Sequence, residues 1–122
     1  MGVDQYTSFH VFESLPDGGR ISLQRDPEDS AGVAQIRAHM RRVARAFAGG
    51  DFALPGFVHA GRVPGTSVMA ARKDRIRYAA DTLTGGGVLL IWSDDSIAIQ
   101  AIHDFLAFQR KDHRSAGHGT SH

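Results

Sequence analysis

Apolar residues recur with two different periods along this chain. Over residues 7–15 (TSFHVFESL) strand formers dominate, and over residues 20–25 (RISLQR) Ile21 and Leu23 alternate with polar neighbours. Between them Pro16-Asp17-Gly18-Gly19 has turn chemistry: proline presets φ and glycine accepts positive φ. These segments predict a β-hairpin. From residue 31 the period changes. Val33, Ile36, Met40, Val43 and Phe47 recur at spacings of three and four, which predicts a helix over 31–48 with one narrow core stripe. Asp29 or Ser30 is placed to cap it, and Gly49-Gly50 to stop it.

The same succession returns later. Residues 75–83 (RIRYAADTL) read as a third strand, Thr84-Gly85-Gly86-Gly87 as a turn, and Val88 to Trp92 (VLLIW) as a fourth strand. Its unbroken apolar run predicts a strand covered on both faces. Ser93-Asp94-Asp95-Ser96 then caps a helix over 95–113. That helix carries Ile97, Ile99, Ala101, Ile102, Phe105, Leu106 and Phe108. At about 100° per residue they cover an arc of roughly 200°. A helix lying on one sheet needs a stripe of only about 100° or a little more. The excess predicts a second buried side, with Ile99 and Leu106 mediating self-association through the last helix, the fourth strand or both.

The pattern is ββα-ββα. Ser14 to Gly19 matches Thr82 to Gly87, each followed by a strand, an acidic cap and a helix. The expected fold is a two-layer α+β sandwich: a four-stranded antiparallel sheet with both helices on one face, a permuted ferredoxin-like arrangement. Residues 1–113 form the single domain and 114–122 a flexible tail without apolar content. The connection over 51–74 is long for a loop, and Thr66 or Ser67 is placed to cap a short helix through Arg72.

Composition adds five points. A formal net charge of +1 gives no electrostatic case for nucleic acid or an anionic membrane. Arg37, Arg41, Arg42 and Arg45 cluster on one helix, as a solvated face does. No segment is long and apolar enough to span a bilayer, so a soluble, cytoplasmic protein is expected, although a trimmed secreted form would read alike. There are no cysteines, which removes disulfides, thiolate metal sites and a cysteine nucleophile.

The fifth point is the seven histidines. Imidazole is the commonest protein ligand for transition metals, and without cysteine a metal site here would use N and O donors. No HExxH occurs. His103 and His113 are ten residues apart on one helix, about 15 Å along its axis, so one ion cannot join them within a chain. A site must therefore be assembled across elements. His39, His59 and His103 are the obvious trio, with His113 a reserve from a partner chain. Each also reads as an ordinary boundary histidine. The glycine-rich turns lead into strands and lack the helix N-terminus that binds phosphate. No GxSxG elbow is present. Tyr78 is placed to line a pocket, whereas Phe47, Trp92, Phe105 and Phe108 read as core.

Over HMRRVARAFAGGDF (39–52), GFVHAGRVPGTSVM (56–69) and AIHDFLAFQRKDH (101–113) the sequence resembles a group of small bacterial proteins that often carry the label aspartate carbamoyltransferase. The resemblance covers most of residues 20–113. It implies a family and no activity: 122 residues cannot hold that enzyme's two domains, and no carbamoyl-phosphate-binding motif is present.

The leading expectation is a homodimer binding a transition metal (zinc, copper or iron) or haem through histidine. An open metal position would allow redox or hydrolytic chemistry on a small molecule. One alternative is a metal-free homodimeric interaction or ligand-binding module. Another is a metal-free enzyme with a histidine general base under the 51–74 connection. Whether the chain is an enzyme stays open at this stage.

Overall fold

The computed structural model describes the backbone of residues 9–52 and 63–121, and the side chains of residues 10–52 and 63–111. In chain order the elements are β1 (Phe9–Leu15), β2 (Gly18–Gln24), α1 (Ser30–Ala48), α2 (Thr66–Ala71), a 3-10 turn (Lys73–Arg75), β3 (Ile76–Leu83), β4 (Gly86–Ser93) and α3 (Ser96–Ser121). The four strands form one antiparallel sheet in the order β1-β2-β4-β3. The protein is therefore of the α+β class. Among the described residues no helix is long and apolar enough to cross a membrane.

Both hairpin turns are shorter than the glycine runs predict. Pro16-Asp17 and Thr84-Gly85 make the turns, while Gly18-Gly19 and Gly86-Gly87 enter the strands. The reason is close approach. A Cβ on Gly19 would lie 2.1 Å from Leu106 Cδ1 of α3, and one on Gly87 would lie 3.2 Å from Met40 Cγ of α1. Gly19 pairs with Ile91, and Gly87 with Leu23. Side chains alternate along a strand, so Gly19, Ile21, Leu23, Gly87, Leu89 and Ile91 share one face. Both helices rest on that face. Leu106 lies above Gly19 and Met40 above Gly87.

α1 follows its predicted stripe: Val33, Ile36, Met40, Val43 and Phe47 are all buried. Asp29 caps it, accepting from the Gly32 amide at 3.1 Å and pairing with Arg25 at 2.7 Å. Asp95 does the same for α3, accepting from the Ile97 amide at 3.2 Å. Phe47, Phe52 and Phe105 meet at centroid distances of 4.5 to 6.1 Å where the two helices come together above the sheet. Each such buried side chain contributes about 1.5–3 kcal/mol relative to exposure.

Most of the wide apolar arc of α3 is buried within the chain, while Ile97 is 51% exposed. Leu106 is fully buried over Gly19, Phe105 meets Phe47 of α1, and Gly65, at the start of α2, closes on the Ala101 carbonyl and Phe105 amide. Leu106 is thus not available for the self-association expected through the last helix. VLLIW also divides by strand parity. Leu89 and Ile91 face the helices, whereas Val88, Leu90 and Trp92 lie on the opposite face. α3 runs to Ser121, beyond the end expected at His113. The flexible tail expected over 114–122 falls on residues whose side chains lie outside the described set.

Candidate functional site

The candidate histidines occupy separate places. His39 is on α1, 7% exposed. Its flank follows from Arg37, which reaches the Gly86 carbonyl (2.9 Å) and the Leu83 carbonyl (2.8 Å) at the β3–β4 turn. Two residues further on, His39 lies roughly 200° round the helix, on the opposite flank of the buried stripe. His103 is on α3, and its Nε2–H donates to the Leu15 carbonyl at 2.7 Å. That bond ties α3 to the end of β1, and Arg110 Nη1 adds a second tie to the Phe12 carbonyl at 3.0 Å.

His39 and His103 are not brought together. His39 adjoins Met40, above Gly87, whose row across the sheet continues through Leu23 to His10. His103 sits at Leu15, five residues further along β1 than His10. At about 3.3 Å per residue their levels differ by roughly 16 Å. His59 and the side chain of His113 lie outside the described residues. Among the described residues no three His, Cys, Asp or Glu side chains group closely enough to hold a metal ion.

His39 is nevertheless chemically distinctive. Burial first, and then the nearby Arg42 guanidinium, push its pKa below the ordinary value. Arg42 Nη2 lies 3.4 Å from its Nδ1, which suits a neutral ring accepting at that nitrogen. Tyr78 packs edge-on against Phe47 at 6.0 Å, and burial raises its hydroxyl pKa, so it stays a neutral phenol in the core.

The described surface is concave at the other end of the molecule, around Trp92. Two depressions share Trp92 and Asp17. The larger, about 610 Å³, is lined by the polar and charged residues Asp17, Asp74, Arg75, Arg77, Ser93 and Asp94 beside the indole. The smaller, about 370 Å³, lies against Leu15 and Leu90. Trp92 is 38% exposed, unusual for so large an apolar side chain in a central strand. In its row across the sheet it stands between Gly18, which has no side chain, and Arg77.

The polar floor is held by backbone bonds. The Ser93 amide donates to the Asp17 carbonyl at 2.9 Å, joining the β1–β2 turn to the end of β4. Ser93 Oγ donates to the Arg75 carbonyl at 2.6 Å and accepts from the Asp95 amide at 3.0 Å. Arg72 pairs with Asp95 at 2.6 Å. Burial alone would raise the Asp95 pKa, but the bonds from Arg72 and the Ile97 amide, with the charges of Arg72 and Arg75, hold it below its usual value. Arg75 and Asp94 are only loosely paired, at 3.7 Å, and both are well exposed.

From sequence Trp92 reads as core, and Arg75 and Arg77 belong to no motif. The signal was present. With Leu89 and Ile91 on the helix face, period two puts Trp92 on the other. A continuous apolar run hides that alternation, because it reads as covered on both sides. Comparison with known protein families, characterised proteins and solved structures gives no match.

Proposed function

We propose that this protein is a small ligand-binding module whose site is the cleft around Trp92. The observation that carries the reading is an accessible indole set between an apolar hollow and one lined by side chains of both charges. Binding clefts commonly measure about 300–1,000 Å³ and combine an apolar wall with a few polar groups. A fitting ligand has a planar apolar part for Trp92, Leu15 and Leu90. Its polar end carries a carboxylate for Arg75 or an amine for Asp74 and Asp94. Small aromatic amino acids and aromatic acids have this chemistry.

Trp92 is the only tryptophan, so its fluorescence reports the site directly. Titration with phenylalanine, phenylacetate and phenethylamine should give a saturable change with at least one probe, and Arg75→Met or Asp94→Asn should weaken it. If none of these probes gives a saturable change up to millimolar concentration, the reading fails.

A second reading keeps the histidines: a transition metal, whether zinc, copper or iron, or a haem, held by His39 with His59 or His113, since His103 is tied to the far end of β1. It is favoured by the depressed pKa of His39, since ligation requires neutral imidazole. Metal analysis and an absorption spectrum of purified protein test it. A stoichiometric metal or a Soret band that is lost in His39→Ala supports it, and metal-free, colourless protein removes it.

We propose further that the fold is built on an internal repeat. The two hairpin–helix halves are degenerate copies in a permuted ferredoxin-like order, with Gly18-Gly19 corresponding to Gly86-Gly87. In support, the second glycine of each pair lies beneath the other half's helix. An experimental structure in which the halves do not superpose in that register would count against it.

A further inference from the structure

We infer that β3 pairs with β3 of a second copy of this chain, antiparallel and with Ala79 on the two-fold axis, joining two sheets into one of eight strands. This inference does not rest on the ligand reading, although Arg77 also lines the larger hollow. β3 is an edge strand, and its other neighbour is β4. The two-residue turn Thr84-Gly85 makes Leu83 and Gly86 the closing hydrogen-bonded pair of the hairpin. Such pairs alternate, so Arg77, Ala79 and Asp81 direct their backbone groups to β4, while Ile76, Tyr78, Ala80 and Thr82 direct theirs outwards.

Thr82 gives an independent check. Its amide donates to the carboxylate of its own neighbour Asp81 at 2.8 Å, as an outward-facing amide can. Among the described residues no backbone group bonds the outer edge of β3. An edge of this kind is a template for another strand.

Charge pattern selects the partner and the register. The charged residues of β3 are Arg77 and Asp81, two positions either side of Ala79. Both are exposed, lie on the face away from the helices, and have no ion-pair partner among the described residues. With Ala79 opposite the partner's Ala79, Arg77 faces the partner's Asp81, and Asp81 faces the partner's Arg77. The same register sets Tyr78 opposite the partner's Ala80, and both aim their N–H and C=O groups across the seam. The Arg–Asp pairs then fall at non-hydrogen-bonded positions, where opposed side chains approach most closely. Shifting the strand by one residue would oppose outward backbone groups to inward ones and lose the ladder. The sequence of one strand is thus complementary to itself in one register, which a surface meant for an unrelated peptide does not require.

A ladder of this length buries less than a standard interface of about 1,200–2,000 Å², so the dimer should be reversible and depend on concentration. Sedimentation velocity over a hundredfold concentration range should show monomer converting to dimer. Asp81→Arg or Arg77→Asp sets like charges opposite each other twice and should weaken the dimer by on the order of tenfold or more. Combining the two substitutions should restore it.

The register is tested by cross-linking, since the chain has no cysteine. Ala79→Cys should form an intermolecular disulfide in an oxidising glutathione buffer, because that position faces itself across the axis. Thr82→Cys, at a more exposed position of the same strand, should not. A monomer at every concentration overturns the inference. So does a dimer indifferent to the charge reversals, or cross-linking equal at both positions.

Discussion

Gly19→Ala tests the geometry by which the helices rest on the sheet. The added methyl carbon would lie 2.1 Å from Leu106 Cδ1 and 2.7 Å from the Glu13 carbonyl oxygen. Apolar carbons at rest are about 3.5–4.0 Å apart, so the overlap with Leu106 is about 1.5 Å. Leu106 is fully buried and cannot swing aside into solvent. Overpacking of this kind costs about 1–3 kcal/mol. Leu106→Ala alone should cost about 2–5 kcal/mol through lost transfer energy and the cavity left behind. In the double variant the new methyl enters space that the leucine vacates. Its total should be smaller than the sum of the singles by about 1 kcal/mol or more, within the usual range for touching residues. Recovery is incomplete because the contact with the Glu13 carbonyl remains. Urea denaturation, followed by far-UV circular dichroism and Trp92 fluorescence at one protein concentration, measures all four proteins. The m-values should be unchanged, so that midpoints report stability. Additivity within about 0.3–0.5 kcal/mol would show that Gly19 and Leu106 do not touch, and the account of the helix layer would be wrong.

Gly65→Ala should be severe, because φ is +86° and the Cβ would lie 2.2 Å from the Ala101 carbonyl oxygen, a backbone atom that no side-chain rotation can move. A loss of about 2 kcal/mol or more in thermal or urea unfolding is expected, whereas Gly49→Ala, whose nearest contact is 3.6 Å, should be close to neutral. A Gly65→Ala protein as stable as the wild type would mean that α2 does not seat on α3 as described. His39 has its folded pKa below the unfolded value, so its effect on stability is absent above about pH 6.5. As pH falls below that, the unfolded chain takes up the proton first and stability drains away until the folded pKa is passed. His39→Gln should therefore lose less stability than the wild type between neutral and mildly acidic pH, and parallel pH profiles would refute the assignment.

The sequence alone determined the local elements, because each depends on periodicity and caps within a few residues. The stripe from Val33 to Phe47, the cap at Asp29 and the two hairpins were legible in this way. The α+β class with four antiparallel strands followed from their order. Three things required the tertiary structure. Glycine serves both turns and close approaches, and only the position of Leu106 and Met40 shows that Gly19 and Gly87 are strand residues under helices. An apolar arc states that a side is buried but not by what. The second side of α3 meets α2 and α1 of its own chain, where the sequence pattern fits a partner equally well. Histidines carry no record of their neighbours in space. His103 spends its Nε2 proton on the Leu15 carbonyl, and His39 lies about 16 Å away along the strands. Trp92 became a candidate only when strand parity, set by the register of β4 between β2 and β3, turned it away from the core. Long-range pairing decides that register, and no short stretch of sequence contains it.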